Sequence, residues 1–376
     1  MAKRERDESA VEAAVGELEA ALARDADMKL KALVALVALV DFKDEGYAAQ
    51  RQAAEAGALA LLMQLLEDES DAVRVQAAKT LVAVTKHSTP ARERLSAGKG
   101  LGFSQTPAKV ALNPVQDEVT ELDGAFNLLT NMRFSDDTEM QQAGAAALAA
   151  ICALNRPNTL AALRELVHRL LQHEPKALLS LEDTLAGLDV RDDMAVLLDQ
   201  ALVPALSFLR NGSAGEKLDA VTLLGSICEK RPGAAAFLVA EGALPAATAL
   251  LCAGDLSASD AAARSLWLLV KDNKRLLAPG KDGLGVPGTS LVEPLLGLVE
   301  AAEDQEDEED AADGDAGDDD DDEPRGGAAG SAVVEAKVDN GDDALLLLRA
   351  LAGQDPDVRD KLKGQSDVLG SRCAIM

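Results

Sequence analysis

From Glu55 to His87 the apolar positions fall into two helical stripes. Gly57 ends one helical run, and Leu59, Leu62, Leu65 and Leu66 then share one side of a new helix. The polar stretch from Glu67 to Ser70 turns the chain, with Ser70 or Asp71 placed to cap the next helix. Val73, Ala77, Leu81 and Val84 recur at i, i+4, i+8 and i+11, one buried helical stripe. Two helices this short and this apolar cannot cover each other, so each pair needs a similar neighbour on either side.

The pattern recurs along the chain. Aligned on Leu81 and Val84, matching pairs are Leu39/Phe42, Leu148/Ile151, Leu185/Leu188, Leu224/Ile227, Leu266/Leu269 and Leu348/Leu351. Successive separations are 42, 67, 37, 39, 42 and 82 residues, so four lie at one period and two carry insertions. One insertion is 97–122, rich in Gly, Pro and Ser/Thr; the other contains an acidic run. A helical period near 40 belongs to stacked-repeat folds. The expected fold is all-α, a right-handed α-solenoid of about seven repeats. Helices are expected at 9–23, 28–40 and 47–56. Further sets are 194–200, 202–210 and 216–229; 234–240, 244–252 and 260–271; and 291–302 with 344–353. Ser213 and Glu216 are spaced as a capping box.

The stretches EAGAL at 55–59 and AEGALP at 240–245, each leading into a leucine-rich helix, resemble armadillo repeats. Pro204 and Pro294 stand near the matching place, where a first-turn proline loses no hydrogen bond. HEAT-like repeats are the alternative. The resemblance covers about 9–300 and 342–363. It implies three helices per repeat, with third helices lining an inner protein-binding surface. Armadillo proteins that hold extended peptides, such as importin-α and β-catenin relatives, usually carry an asparagine two residues after the aligned leucine. Here those positions are Asp41, Ala83, Ala150, Gly187, Ser226, Leu268 and Ala350. None is asparagine, and Ala, Gly and Leu side chains cannot bond a peptide backbone. The expected guest along Ala83, Ala150, Gly187, Ser226, Leu268 and Ala350 is therefore a helix, a loop or a folded domain rather than an extended basic peptide.

Composition narrows the choice further. Hydrophobic residues make up 48% of the chain but aromatics only 2%, so alanine and leucine must build the core. The formal net charge is −28, of which the run 303–323 supplies 15 acidic residues and no basic ones. That balance argues against nucleic acid, which needs a basic footprint. The acidic run has almost nothing to bury and is expected to be disordered. It reads as a solubilising spacer, with docking of a basic partner as the functional alternative. The expected organisation is a flexible 1–8, repeats over 9–302 with a loop at 97–122, an acidic insertion at 303–341, last repeat helices at 342–363 and a flexible tail at 364–376.

The final residues Cys373-Ala374-Ile375-Met376 have the C-a-a-X form that directs a prenyl transferase to farnesylate Cys373. A single prenyl chain holds a membrane only weakly and reversibly, so a cytoplasmic protein with a weakly membrane-associated fraction is expected. Cys152, Cys228 and Cys252 lie in apolar runs without CxxC spacing and read as buried free thiols. His87 reads as a helix-closing residue, and His168 and His173, five apart, cannot share a helical face as metal ligands. Gly98 to Gly102 lacks the G-K-[ST] of a phosphate loop. Trp267 reads as packed between repeats. No catalytic, metal or cofactor site is expected. The expected function is a non-enzymatic scaffold or adaptor, with an armadillo-type nucleotide-exchange factor for seventy-kilodalton heat-shock proteins as the alternative.

Overall fold

The structure is a computed structural model that describes residues 2–40, 47–86, 113–153, 155–186, 192–277, 284, 286–312 and 342–363. The described residues are helical, with no strand among them. They divide into two compact units, 1–168 and 169–376.

In the N-terminal unit α1 (Ala2–Ala21) packs on α2 (Ala26–Val40). Then come α3 (Ala48–Glu55), α4 (Ala58–Leu66) and α5 (Asp71–Thr85). A second triplet comes next: α6 (Val115–Val119), α7 (Ala125–Arg133) and α8 (Thr138–Cys152). Helix α5 packs against α2 and against α8, so the long third helices stand side by side. One continuous core joins them, with Leu36, Leu81, Val84 and Ile151 wholly buried. Helix α9 (Arg156–Leu171) succeeds them, running across the limit between the units.

The C-terminal unit repeats the plan with α10 (Lys176–Ala186), α11 (Asp192–Asn211), α12 (Ala214–Lys230), α13 (Pro232–Ala240), α14 (Ala243–Leu251) and α15 (Leu256–Val270). It closes with α16 (Val292–Ala312), α17 (Asp342–Gln354) and α18 (Pro356–Lys363). The third helices again neighbour one another in order: α10 on α12, α12 on α15, α15 on α17. Each unit is thus a stack of helical repeats, the arrangement of an α-solenoid. Every described residue of the aligned pairs is buried except Leu39, which is half-buried; Phe42 and Leu188 lie outside the described residues. The helical stripe, not a local motif, carries the period.

The second helix of a repeat opens on a left-handed glycine. Gly57 and Gly242, from the EAGAL and AEGALP stretches, precede α4 and α14 with φ of +91° and +78°. Gly124 does the same before α7 at +78°. A Cβ would be strained at these angles, which explains why glycine recurs there. The capping box is present: Ser213 accepts from the Glu216 N–H, and the Glu216 carboxylate accepts from the Ser213 N–H at 2.7 Å. Ser70 is the N-cap of α5, but its side chain makes no capping bond.

Several boundaries differ from the expectation. Helix α1 starts at Ala2, inside the stretch read as flexible. The 97–122 insertion is divided: 97–112 lies outside the described residues, whereas 113–122 contains α6, with Asn113, Val115, Gln116 and Val119 buried. Buried amides explain it. Asn113 Nδ2 donates to the carbonyls of Val84 (2.9 Å) and Lys86 (3.2 Å) at the end of α5. Asn158 Nδ2 likewise donates to the carbonyls of Ile151 (2.8 Å) at the end of α8 and Gln116 (2.7 Å). These side chains pair helix-end carbonyls that have no partner within their own helix. The two helices expected at 194–200 and 202–210 are one, α11, with Pro204 inside it. Buried Ala201 and Leu202 span the expected break, so packing holds the helix through the bond that proline removes. Repeats α3–α5, α6–α8 and α13–α15 keep three helices, while α11–α12 has the two of a HEAT-like repeat. Helix α16 runs ten residues beyond the expected end at Ala302, into the acidic run. The remainder of that insertion, 313–341, and the tail with Cys373 lie outside the described residues. Among the described residues, no single helix is long and apolar enough to cross a membrane.

Candidate protein-binding face

Positions two residues after the aligned leucine test the register directly. Gln50, on α3, donates Nε2–H to the carbonyl of Ala83 at 3.1 Å. Gln116, on α6, donates in the same way to the carbonyl of Ala150 at 2.6 Å. Equivalent glutamines on first helices bond equivalent carbonyls on third helices, so Ala83 and Ala150 occupy the same place in their repeats.

Their exposure differs. The methyls of Ala83 and Ala350 are buried and offer no contact surface. Ala150, Ser226 and Leu268 are half-buried, and Gly187 and Asp41 lie outside the described residues. Ser226 is already engaged, donating its hydroxyl to Glu182 Oε1 at 3.3 Å on the neighbouring third helix.

Side chains spaced by helical turns from these positions share their face. In the N-terminal unit they are Val34 and Ala38 on α2, Lys79 on α5, and Glu139, Gln142 and Ala146 on α8, all exposed. Lys79 and Glu139 pair across α5 and α8 at 2.8 Å. That surface is small-featured and near neutral. In the C-terminal unit it carries charge. Glu229 lies three residues after Ser226, Arg264 four before Leu268, and Asp343 seven before Ala350. Arg264 Nη2 donates to Glu229 Oε2 at 2.8 Å, joining α15 to α12. Around this guanidinium stand Glu182, Glu229, Asp260 and Asp343.

Burial shifts the protonation of three of these groups, Glu182, Asp260 and Asp343. It raises the pKa of Glu182, and Asp183 adds to the rise while Ser226 and Arg264 oppose it. Asp260 is pushed up to about 6 by burial and then by Asp343, against Arg264. Asp343 is raised by burial, Asp342 and Glu229 adding to it, Arg264 and Lys271 opposing. Burial disfavours charged carboxylates, and one arginine cannot neutralise all three.

No family model matches the chain, and no curated protein does. Solved structures do. The chain is similar to designed armadillo repeat proteins. One of these is 21% identical over 69% of this chain and 99% of its own, with a TM-score of 0.39. Another, designed for modular peptide recognition, is 20% identical over 69% and 99%, with a TM-score of 0.41. A structure from a study of cadherin and β-catenin is 14% identical over 94% of this chain and 74% of its own, with a TM-score of 0.28.

Other expected residues fall away from this face or from its chemistry. Cys152 is half-buried and Cys228 buried, both thiols pushed up to about 12 by burial and so unreactive at neutral pH. Cys252 is exposed, a departure from the buried thiol expected there, because α14 ends at Leu251 and the cysteine falls in the turn. Trp267 is half-buried on α15. His173 adopts φ of 60° after α9, its ring 5.9 Å from that of Phe208; His87 lies outside the described residues. Among the described residues no three His, Cys, Asp or Glu side chains converge to hold a metal ion. The charged residues Glu182, Asp260, Arg264 and Asp343 were not foreseen. Their signal was their helical offset from Ser226, Leu268 and Ala350, legible once the register is known.

Proposed function

We propose that this protein is a non-enzymatic scaffold that binds another protein along its third helices. The observation that carries this reading is the side-by-side order of α10, α12, α15 and α17, which spreads half-exposed side chains across neighbouring helices. Such a face adds contact area with each repeat and needs no catalytic group. Its excess of carboxylates around Arg264 favours a helix, loop or folded domain bearing basic side chains, because complementary charge steers and orients association. Without an asparagine ladder, an extended basic peptide gains no backbone bonds there.

The test is site-specific photocrosslinking of the full chain in cell extract. A crosslinker at Leu268, on this face, is expected to trap discrete partners that one at exposed Val203 on α11 does not. Glu229→Lys should cut the Leu268 yield about tenfold. Equal trapping at both positions, or indifference to Glu229→Lys, would remove the docking face.

A second feature concerns place rather than partner. The C-a-a-X spacing of Cys373 supports farnesylation by a prenyl transferase and a weakly membrane-associated fraction of a cytoplasmic protein. Mass spectrometry of the C-terminal peptide from eukaryotic expression is expected to show one farnesyl group, absent in Cys373→Ser. The same variant should lose the membrane-bound fraction on flotation. An unmodified cysteine in the wild type sinks this part and leaves the scaffold reading intact.

A further inference from the structure

The helices that precede a third helix carry exposed charge in most of this protein. Helix α3 holds Arg51 and Glu55, α6 holds Asp117 and Glu118, and α11 holds Asp193, Asp199 and Arg210, all exposed. Helices α13 and α14 differ: neither contains a charged residue. Helix α13 packs on α12 and α15, and α14 packs on α15. Burial against those helices accounts for Leu238, Leu244 and Leu251. It does not account for the outer stripes, Gly233, Ala236, Phe237 and Ala240 on α13 and Pro245 and Ala249 on α14, which are exposed.

Phe237 is 40% exposed, the one exposed phenylalanine, tyrosine or tryptophan among the described residues. Leu256, where α15 begins just after this pair, is 61% exposed. Together α13 and α14 have the length and composition of a membrane span, but they bend by 87° at Glu241–Gly242 and cannot cross as one rod. At that bend stands exposed Arg210 of α11. Its Nη2 is 3.3 Å from where a Cβ on Gly242 would lie, and it has no hydrogen bond or ion pair among the described residues.

We propose that the outer face of α13 and α14, with Phe237 and Leu256 as its anchors, lies on the surface of a lipid bilayer with zwitterionic headgroups. A protein partner is oriented by a polar rim and by hydrogen-bonding side chains. The two stripes offer neither, and an apolar side chain entering the headgroup boundary needs neither. Arg210 is placed to reach a headgroup phosphate while its stem stays against the apolar pair. Zwitterionic rather than anionic surfaces follow from the charge of the chain, −28, which anionic lipids repel.

The inference deepens the membrane association proposed above, on which its biological setting rests. One prenyl chain binds a bilayer marginally, and stable anchoring takes a second contact. Cys373 follows α18 in the chain, in the same unit as α13 and α14. The contact itself needs no farnesyl group, so either reading can fail without the other.

Flotation of the full chain with phosphatidylcholine vesicles tests it, using protein made in bacteria so that Cys373 is unmodified. A floating fraction that rises with lipid concentration is expected, and Phe237→Asp should lower the partition coefficient about tenfold. Ala249→Asp, at an exposed site on α14, should lower it several-fold, and it decides if Phe237→Asp does not fold. Leu171→Asp, at an exposed leucine ending α9, should leave it unchanged. No flotation of the wild type, or equal flotation of the α13 and α14 variants, overturns the bilayer contact. So does a wild-type dimer in sedimentation equilibrium that Phe237→Asp converts to monomer, which assigns the face to a second copy of the chain.

Discussion

Leu81→Ala is expected to lower the stability of the N-terminal unit by roughly 3 kcal/mol, within the range for fully buried leucines truncated to alanine. Leu81 is 0% exposed on α5, which has third helices on both sides and α3, α4 and α6 packed against it. The loss has two parts, the transfer free energy of the removed methylenes and the cavity that a close-packed interior does not refill. Because α5 joins α2 to α8, neither neighbour can follow the shrinking side chain without leaving its other contacts. Exchange of amides in 2–168 under native conditions measures the change, and Trp267, the one tryptophan, lies in the other unit and reports on that unit separately. A loss below about 1 kcal/mol would mean that α5 is not at the centre of a packed stack.

Gly144→Ala is expected to destabilise the same unit by about 2 kcal/mol, although alanine is the better helix former by about 1 kcal/mol. Gly144 is on α8 where it crosses α7. A Cβ there would stand 2.6 Å from the Arg133 backbone N, 2.8 Å from Met132 Cβ and 2.9 Å from the Leu129 carbonyl oxygen. Two of these three atoms are backbone, so no rotamer change relieves the contact, and α7 and α8 must separate. Overpacking of this kind outweighs the propensity gain. Chemical denaturation followed by far-UV circular dichroism reads the shift. A variant more stable than wild type would show that propensity decides and that the helices do not approach so closely.

The two substitutions probe different legibility. Leu81 could be read directly, since its burial comes from a stripe within one helix. Gly144 could not. In the sequence it is a glycine in an alanine-rich helix, a position that by propensity alone invites alanine. Only the crossing of α7 makes its missing side chain necessary. The same contrast separates Gly57 and Gly242 from Asn113 and Asn158. The glycines serve a local backbone angle, so their neighbours in sequence announce them. The asparagines serve carbonyls on helix ends; for Asn113 the nearest of these is 27 residues away, and nothing adjacent marks them as buried.

For the candidate face, the position two residues after the aligned leucine was recoverable from spacing, and the absence of asparagine there is a fact of the chain. What stands around it was not. Glu182, Glu229, Asp260, Arg264 and Asp343 come from four separate helices, and charged residues at such intervals read as ordinary solvated surface. Half-burial of Glu182, Asp260, Arg264 and Asp343 changes their meaning, because charge withdrawn from water must be paired or must titrate.

The repeat period, the helical class, the left-handed entry at Gly57 and Gly242 and the Ser213–Glu216 cap were determined by the amino-acid sequence alone. Each depends on interactions within a turn or two of one helix, where residue type and spacing suffice. The tertiary structure decided that α6 belongs to the repeat array, that α11 continues through Pro204, and that Arg264 on α15 pairs with Glu229 on α12. Those outcomes depend on which helices meet. The contact energies are made between residues distant in the chain, and no local pattern encodes them.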